Sequence, residues 1–306
     1  MARKVIVIVG PTCSGKSCLA LMIAEKLQTE IISADSRQIY KYLDIGTAKP
    51  PKEELKKIKH HFIDLFEPDA DYNVSKFEKD SLLIIEQLLN RNKIPVVVGG
   101  SGLYVKAIVD GIFDTANVDE DFRNYLKNMR EKHGNNYLYE QLKNLDPVGA
   151  SQMLPQNWKR VIRALEVLHL TGKPIHEHLK EYHRNVNFDF IQIGLKWERN
   201  TLYKRIEKRV DKMIQAGLVE EVKNILSMGY SKELNSLNTV GYKEIISYLE
   251  GQISMDRTVE LIKRNTRRFA KRQLTWFNAD KRIIWYNVDD ISDFPKLTNV
   301  ILENLH

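Results

Sequence analysis

Eight residues near the start of the chain, Gly10-Pro11-Thr12-Cys13-Ser14-Gly15-Lys16-Ser17, have the types and spacing to hold phosphate. They match G-x-x-x-x-G-K-[ST]. Glycines let the backbone turn tightly enough to aim successive N–H groups at phosphate oxygens, and a helix starting there adds positive potential. Lys16 supplies a point charge for an outer phosphate, and the Ser17 hydroxyl can ligate Mg2+. The flanks fit: the apolar run Val5 to Val9 precedes the loop, and a helical segment, 18–27, follows it. The pattern does not say whose phosphate is held. An ATPase would usually carry an acid at the end of a neighbouring apolar strand to hold Mg2+. The most apolar neighbour, Val96 to Val98, ends in Gly99, Gly100 and Ser101, which leaves Asp64 as a weaker candidate acid.

A second set follows the next short apolar run: Asp35-Ser36-Arg37-Gln38-Ile39-Tyr40. An acid beside a phosphate loop can be a general base, a metal ligand or a cap for its own loop, and the residues alone leave all three open. Gln38 offers a donor and an acceptor, which suits the edge of an adenine ring.

The elements that must position these residues alternate in type. Strand-like runs at 5–9, 31–34, 62–65 and 96–98 are separated by helical segments at 19–27 and 77–89. This alternation predicts a parallel α/β sheet, with Gly10, Asp35 and Gly99 at the carboxyl ends of strands where ligands gather. From about residue 115 the pattern turns helical, with segments at 119–132, 137–144 and 159–170, until a strand at 188–195 returns the chain to the sheet. The remainder reads as helices at 200–215, 218–227, 241–250 and 255–277, and a last strand at 283–286. The expected organisation is a core over 1–114, a helical insertion over 115–190, and completion of the core over 191–306.

Composition is that of a globular protein, with 43% hydrophobic and 28% charged residues in 306. No apolar run approaches the roughly 18 residues of a membrane span. The run at 5–9 is too short for a secretion signal, so a cytoplasmic, non-membrane protein is expected. Cys13 and Cys18 have spacing that suits neither a disulfide nor a zinc site. The net charge of +7 is concentrated: between Arg257 and Arg282 stand nine Lys or Arg against two acids. In the helix 255–277, Val259, Ile262, Phe269 and Trp276 lie near one face, expected to be buried, with basic residues over much of the rest. That is the form of a helix that tracks a phosphate backbone. Trp276 and Phe277 could stack bases, although core packing is the favoured expectation for both.

Further segments carry a resemblance. Asp35 to Tyr40, then Asp44-Ile45-Gly46-Thr47-Ala48-Lys49-Pro50, Val98 to Tyr104, Arg163 to Val167 with Thr171-Gly172-Lys173-Pro174, Val240 to Glu244, and Ala270 to Phe277 together resemble the tRNA dimethylallyltransferases, in order and over nearly the whole chain. The likeness is to the bacterial form, without a Cys/His zinc finger after the last strand. It implies a P-loop NTPase-like α/β sheet with a helical insertion domain. It also implies Mg2+-dependent transfer from dimethylallyl diphosphate to the exocyclic amine of the adenosine 3′ to the anticodon. The loop from Gly10 to Ser17 would hold a diphosphate leaving group, helped by Arg205 and Arg209, with Asp35 as base, Lys16 and Ser17 stabilising the departing charge, and Ser17 on the metal.

Positions matching the family's tRNA contacts are Asp35, Ser36, Arg37, Gln38, Ser101, Arg123, Lys159, Arg160, Arg163, Asn238, Gly241, Tyr242, Lys243, Lys271, Arg272 and Gln273. Asn238 departs from the longer Gln or Arg of relatives. The implied partners are the tRNA anticodon stem-loop and dimethylallyl diphosphate, bound by a monomer. Two other enzymes would use the same loop: an adenylate isopentenyltransferase acting on free nucleotide, and a small-molecule kinase acting with ATP. A non-catalytic RNA-binding module would leave Lys16, Ser17 and Asp35 unexplained.

Overall fold

The computed structural model describes residues 3–113, 119–182 and 184–305. The expected boundary at 114/115 lies outside them. The chain forms two compact units, one of residues 1–110 with 186–306 and the other of residues 111–185.

In the first unit, β1 (Lys4–Val9) leads through the phosphate loop into α1 (Lys16–Leu27). Then come β2 (Ile31–Ser33), α2 (Lys52–Lys57), β3 (His60–His61), α3 (Val74–Asn90), β4 (Val96–Gly99) and α4 (Gly102–Asp110). The second unit is α5 (Glu120–His133), α6 (Asn135–Leu145), α7 (Pro147–Ser151), α8 (Trp158–Thr171) and α9 (Ile175–Glu181). The first unit resumes with β5 (Asp189–Trp197), α10 (Arg199–Gln215), α11 (Leu218–Ser227), α12 (Tyr242–Leu249), α13 (Met255–Asn278), β6 (Ile284–Val288) and α14 (Phe294–Glu303).

The six strands form one parallel sheet in the order β3-β2-β4-β1-β5-β6. Val5 to Val9 is wholly buried, as a strand covered on both faces must be. Its side chains alternate between two cores, Val5, Val7 and Val9 on one face and Ile6 and Ile8 on the other. The ends of β1, β2 and β4 bring Gly10, Asp35 and Gly99 to one edge.

Two expectations are corrected. The third strand is His60–His61 rather than 62–65. Phe62 and Asp64 adopt left-handed backbone (φ 63° and 54°), which takes the chain out of the sheet. Asp64 is paired with the buried ammonium of Lys49, so it serves this loop rather than a metal. The expected stripe of α13 is also met only in part, with Ile262 buried and Val259 half-buried against the core. Thr258, Ile262, Ala270, Gln273 and Phe277 face the core, while Phe269 and Trp276 remain 37% and 47% exposed. Phe277 packs as expected and Trp276 does not.

The second unit has its own core, built on Leu126, Leu138, Leu142, Val161 and Leu165. A buried carboxylate, Glu166, accepts a two-pronged contact from Arg123, whose Nη2 is at 3.2 Å, and lies 3.6 Å from Arg163. Arg123, expected on RNA, is thus engaged with a buried acid that needs a cation.

At the sheet edge, β4 runs so close to the end of β2 that a Cβ on Gly99 would overlap the Ala34 carbonyl oxygen. Gly99→Ala is therefore expected to cost about 2–3 kcal/mol in urea unfolding, because main chain must move.

Candidate active site

The phosphate loop depends on three left-handed or glycine-only conformations, at Gly10 (φ 152°), Cys13 (φ 66°) and Gly15 (φ 86°). Cys13 in the loop and Cys18 in α1 are free thiols, both half-buried. Gly15 precedes α1, and no side chain caps that helix. No acid stands in its first turn either, so the positive end of α1 faces the loop without compensation.

Distant side chains hold the loop in shape. Trp197 Nε1 donates to the Ser14 carbonyl at 2.9 Å. Arg205 Nε donates to the Cys13 carbonyl at 3.0 Å while its guanidinium lies 4.2 Å from the centroid of the Trp197 ring. Arg209 Nη1 donates to Thr12 Oγ1 at 2.9 Å. Gln273, 6% exposed, accepts the Thr12 N–H at Oε1 (2.8 Å) and donates from Nε2 to the Gly100 carbonyl (2.9 Å). It ties the loop after β1 to the loop after β4.

Lys16 is pushed down to about 8, first by burial of its ammonium and then by the Arg209 charge, against the opposing pull of Asp35. An anion entering the loop restores the cation.

Two cavities meet at Asp35. A small one of about 70 Å³ is lined by Thr12, Lys16, Ser17, Asp35, His60 and Arg209, among others. A larger one of about 560 Å³ shares Thr12, Asp35, Thr47 and Arg209 with it. Beyond them it is walled by Ile206, Val210, Met213, Ile262, Phe269 and Trp276. Asp35 Oδ1 accepts the N–H groups of Arg37 (2.9 Å) and Gln38 (3.4 Å), which fixes the carboxylate at the junction.

The loop over residues 44–48 closes one side. Glu221 accepts the N–H groups of Asp44, Ile45 and Gly46 and the Tyr242 hydroxyl (2.6 Å). Burial, with the Glu221 charge, pushes the Tyr242 phenol well up, so it stays a donor.

The other expected site residues separate into groups. Ser36, Arg37, Ser101, Asn238, Gly241, Lys243, Arg272 and Gln273 line the large cavity. Ser101 Oγ accepts the Ser36 N–H at 3.1 Å. Gln38 does not present a free amide: its Nε2 donates to the carbonyls of Thr47 and Ala48, both at 3.2 Å, and its Oε1 accepts from Ser33. Tyr242 is wholly buried, which puts its ring out of direct reach of RNA. Gln273 is likewise placed as a tie. Lys271, with Arg272, lines a neighbouring open groove of about 720 Å³. In the second unit, Lys159 and Arg160 are exposed and Arg163 is half-buried. Arg205 and Arg209 turn onto the loop instead of solvent, and with Lys208 and Lys212 they line a basic opening beside it.

Sequence reasoning missed Trp197, Thr47, Glu221 and His60. The strand expected over 188–195 extends to Trp197, and that extension was the one available signal.

Metal fit follows from the donor set. Ser17 is exposed at the start of α1, and the Asp35 carboxylate lines the same small cavity. Among the described residues no group of three His, Cys, Asp or Glu could hold a metal. Two hard oxygen donors suit a Mg2+ that keeps most of its waters and shares a ligand phosphate.

A parallel sheet whose first strand leads through G-x-x-x-x-G-K-S into a helix, with a helical second unit, defines a P-loop NTPase-like α/β protein. Within that class the chain belongs to the IPP transferase family, whose model matches residues 38–280. It is 50% identical to the tRNA dimethylallyltransferase of Thermotoga maritima, over 98% of this chain and 99% of the relative. It is 46% identical to the tRNA dimethylallyltransferase of Caldanaerobacter subterraneus subsp. tengcongensis, over 100% of this chain and 98% of the relative. Among solved structures, the tRNA isopentenylpyrophosphate transferase of Bacillus halodurans is 37% identical with a TM-score of 0.73, covering 99% of this chain and 97% of that one. A eukaryotic dimethylallyltransferase acting on tRNA is 28% identical with a TM-score of 0.84, covering 99% and 80%.

Gln273→Leu is expected to leave a buried N–H and a carbonyl unpaired, costing about 2–3 kcal/mol in urea unfolding. It should also weaken binding of inorganic diphosphate in calorimetry. The shift on Lys16 predicts a pH step. Below about pH 8 the free enzyme already carries the cation; as pH rises through 8 the proton is lost and diphosphate affinity falls. Lys16→Arg, which keeps its charge, should flatten that step in calorimetric titrations between pH 7 and 9.5, leaving only the titration of diphosphate itself.

Proposed function

We propose that this protein transfers the dimethylallyl group of dimethylallyl diphosphate to N6 of the adenosine 3′ to the anticodon in tRNA, giving N6-isopentenyladenosine. The observation that carries the reading is the position of Asp35, at the junction between a small cationic cavity and a large one with apolar and aromatic walls. Diphosphate belongs in the first, the allyl group and the adenine in the second. The carbon–oxygen bond to diphosphate breaks, its electron pair leaving with the oxygen, and the amine nitrogen bonds to the allylic carbon. Asp35 takes the amine proton. Loop N–H groups, Lys16 and Arg209 stabilise the negative charge as it forms. Ser17 would hold a Mg2+, which would supply further charge neutralisation to the leaving group.

The family relationship and the tRNA-directed names of its members support RNA as acceptor. The adenine must leave the stack of its loop to reach Asp35, and Phe269 and Trp276 offer rings to receive it. Lys243, Lys271 and Arg272 in the first unit and Lys159 and Arg160 in the second present exposed cations for phosphates. We assign the second unit, expected as the insertion 115–190, to gripping the anticodon stem by shape and phosphate contacts. No helix among the described residues is long and apolar enough to cross a membrane. The reading takes the enzyme as a cytoplasmic monomer, where its tRNA is found. A free-nucleotide prenyltransferase has no use for that helical unit, and a kinase would want the metal-binding acid that Asp64 does not provide.

The test is transfer of labelled dimethylallyl diphosphate to unmodified tRNA, to AMP, and to no acceptor. Label should enter tRNA alone. Asp35→Asn should lower kcat by about 10²–10⁴, the usual contribution of a general base, while inorganic diphosphate still binds. Label in AMP alone, or ATP consumption without transfer, would overturn the reading.

A further inference from the structure

His60 lines the small cavity, and the chemistry above does not use it. β3 is only His60 and His61, paired in parallel register with Ile31 and Ile32 of β2. Successive strand residues face opposite ways. His61 turns to the Glu30 carboxylate, with Nε2 at 2.7 Å from Oε2, in a cluster with Lys59 and Arg91. His60 turns the other way and lines the cavity with Lys16, Ser17 and Asp35.

The ring of His60 has a defined tautomer. Nδ1 is 2.8 Å from the Ile58 carbonyl oxygen, which can only accept, so Nδ1 carries the hydrogen. Nε2 is then a lone-pair acceptor. Burial lowers the imidazole's pKa, in keeping with a neutral ring.

A fully ionised diphosphate ester brings only acceptors, and Lys16 and Arg209 in the cavity lining are donors suited to it. A neutral nitrogen lone pair gains nothing from a phosphate oxygen. It gains from an O–H, and a Mg2+ held by few protein ligands carries several waters whose hydrogens need acceptors.

We propose that His60 is a positioning residue that accepts, at Nε2, a hydrogen bond from a Mg2+-bound water and so orients the metal–diphosphate complex in the loop. This rests on the reading that the loop binds diphosphate with Mg2+. The Ile58 carbonyl sets the tautomer that makes Nε2 available.

The experiment uses the full-length protein, inorganic diphosphate and Mn2+ as a paramagnetic stand-in for Mg2+. Calorimetry gives diphosphate affinity in EDTA, and electron paramagnetic resonance gives Mn2+ affinity at saturating diphosphate. His60→Leu should weaken Mn2+ about tenfold, the low end for lost outer-sphere contacts, and leave metal-free diphosphate binding unchanged. His60→Asn, whose amide reproduces only the Nδ1 side, should weaken Mn2+ equally. His60→Gln, whose amide oxygen can stand where Nε2 stood, should stay within about threefold of wild type, an effect of less than one hydrogen bond. Thermal melts check that each variant folds.

Unchanged Mn2+ affinity in His60→Leu would overturn the proposal. So would an equal loss of metal-free diphosphate binding, or Gln behaving like Leu. If the wild type itself binds diphosphate no more tightly with Mn2+ than in EDTA, the metal–diphosphate reading fails first, and the role of His60 with it.

Discussion

A lysine ammonium buried beside an uncapped helix N-terminus concentrates positive charge that favours an anion. The loop from Gly10 to Ser17 has this character, and the rest of the first unit is arranged to hold it. Left to local preferences, Cys13 would leave its left-handed conformation, which a non-glycine residue adopts only under constraint. What prevents relaxation is bonding from remote side chains: to Ser14 from Trp197, to Cys13 from Arg205, and to Thr12 from Arg209 and Gln273. The lowered pKa of Lys16 records the same arrangement, since its ammonium is buried and the opposing pull of Asp35 offsets that burial only in part.

The cavity beyond the loop has the opposite character. Its apolar walls come from α10 and α13, the two helices that also send arginines and a glutamine to the loop. One face of α10 therefore serves two purposes: Arg205 and Arg209 turn to the loop, while Ile206 and Val210 lie beside them on the cavity. On the proposed reading, adjacent positions on one helix would sort the polar leaving group from the apolar migrating group.

Much of this was legible in the sequence. The loop, the position of Asp35 at a strand end, the parallel sheet and the helical stretch rest on strong local patterns: a glycine-rich motif, wholly apolar runs, and amphipathic periodicity. The misreadings have physical causes. Phe62 to Leu65 is apolar enough for a strand, but positive φ at Phe62 and Asp64 turns it away, and that turn is fixed by a remote partner, Lys49. In α13, hydrophobic type suggested that Phe269 and Trp276 were buried. In the structure the buried stripe includes Thr258 and Gln273, and the aromatics are displaced to a cavity wall because the site needs rings there. Gln273, Tyr242 and Arg123 match positions of the family's tRNA contacts; only the fold reveals that the Gln273 amide spans two loops. Tyr242 and Arg123 are each held by a carboxylate that no local pattern announces.

The tie made by Gln273 bears on how the protein comes into being. The phosphate motif leaves the ribosome well before the side chains that shape it: Trp197, Arg205, Arg209 and Gln273 follow some 180 to 260 residues later. A nascent chain that already displays β1, α1 and the whole of the second unit still lacks every side chain that shapes the loop. On the proposed reading, competence to hold diphosphate would wait until α13 has docked, and translation that stops early would yield a fragment carrying the motif without the side chains that shape it.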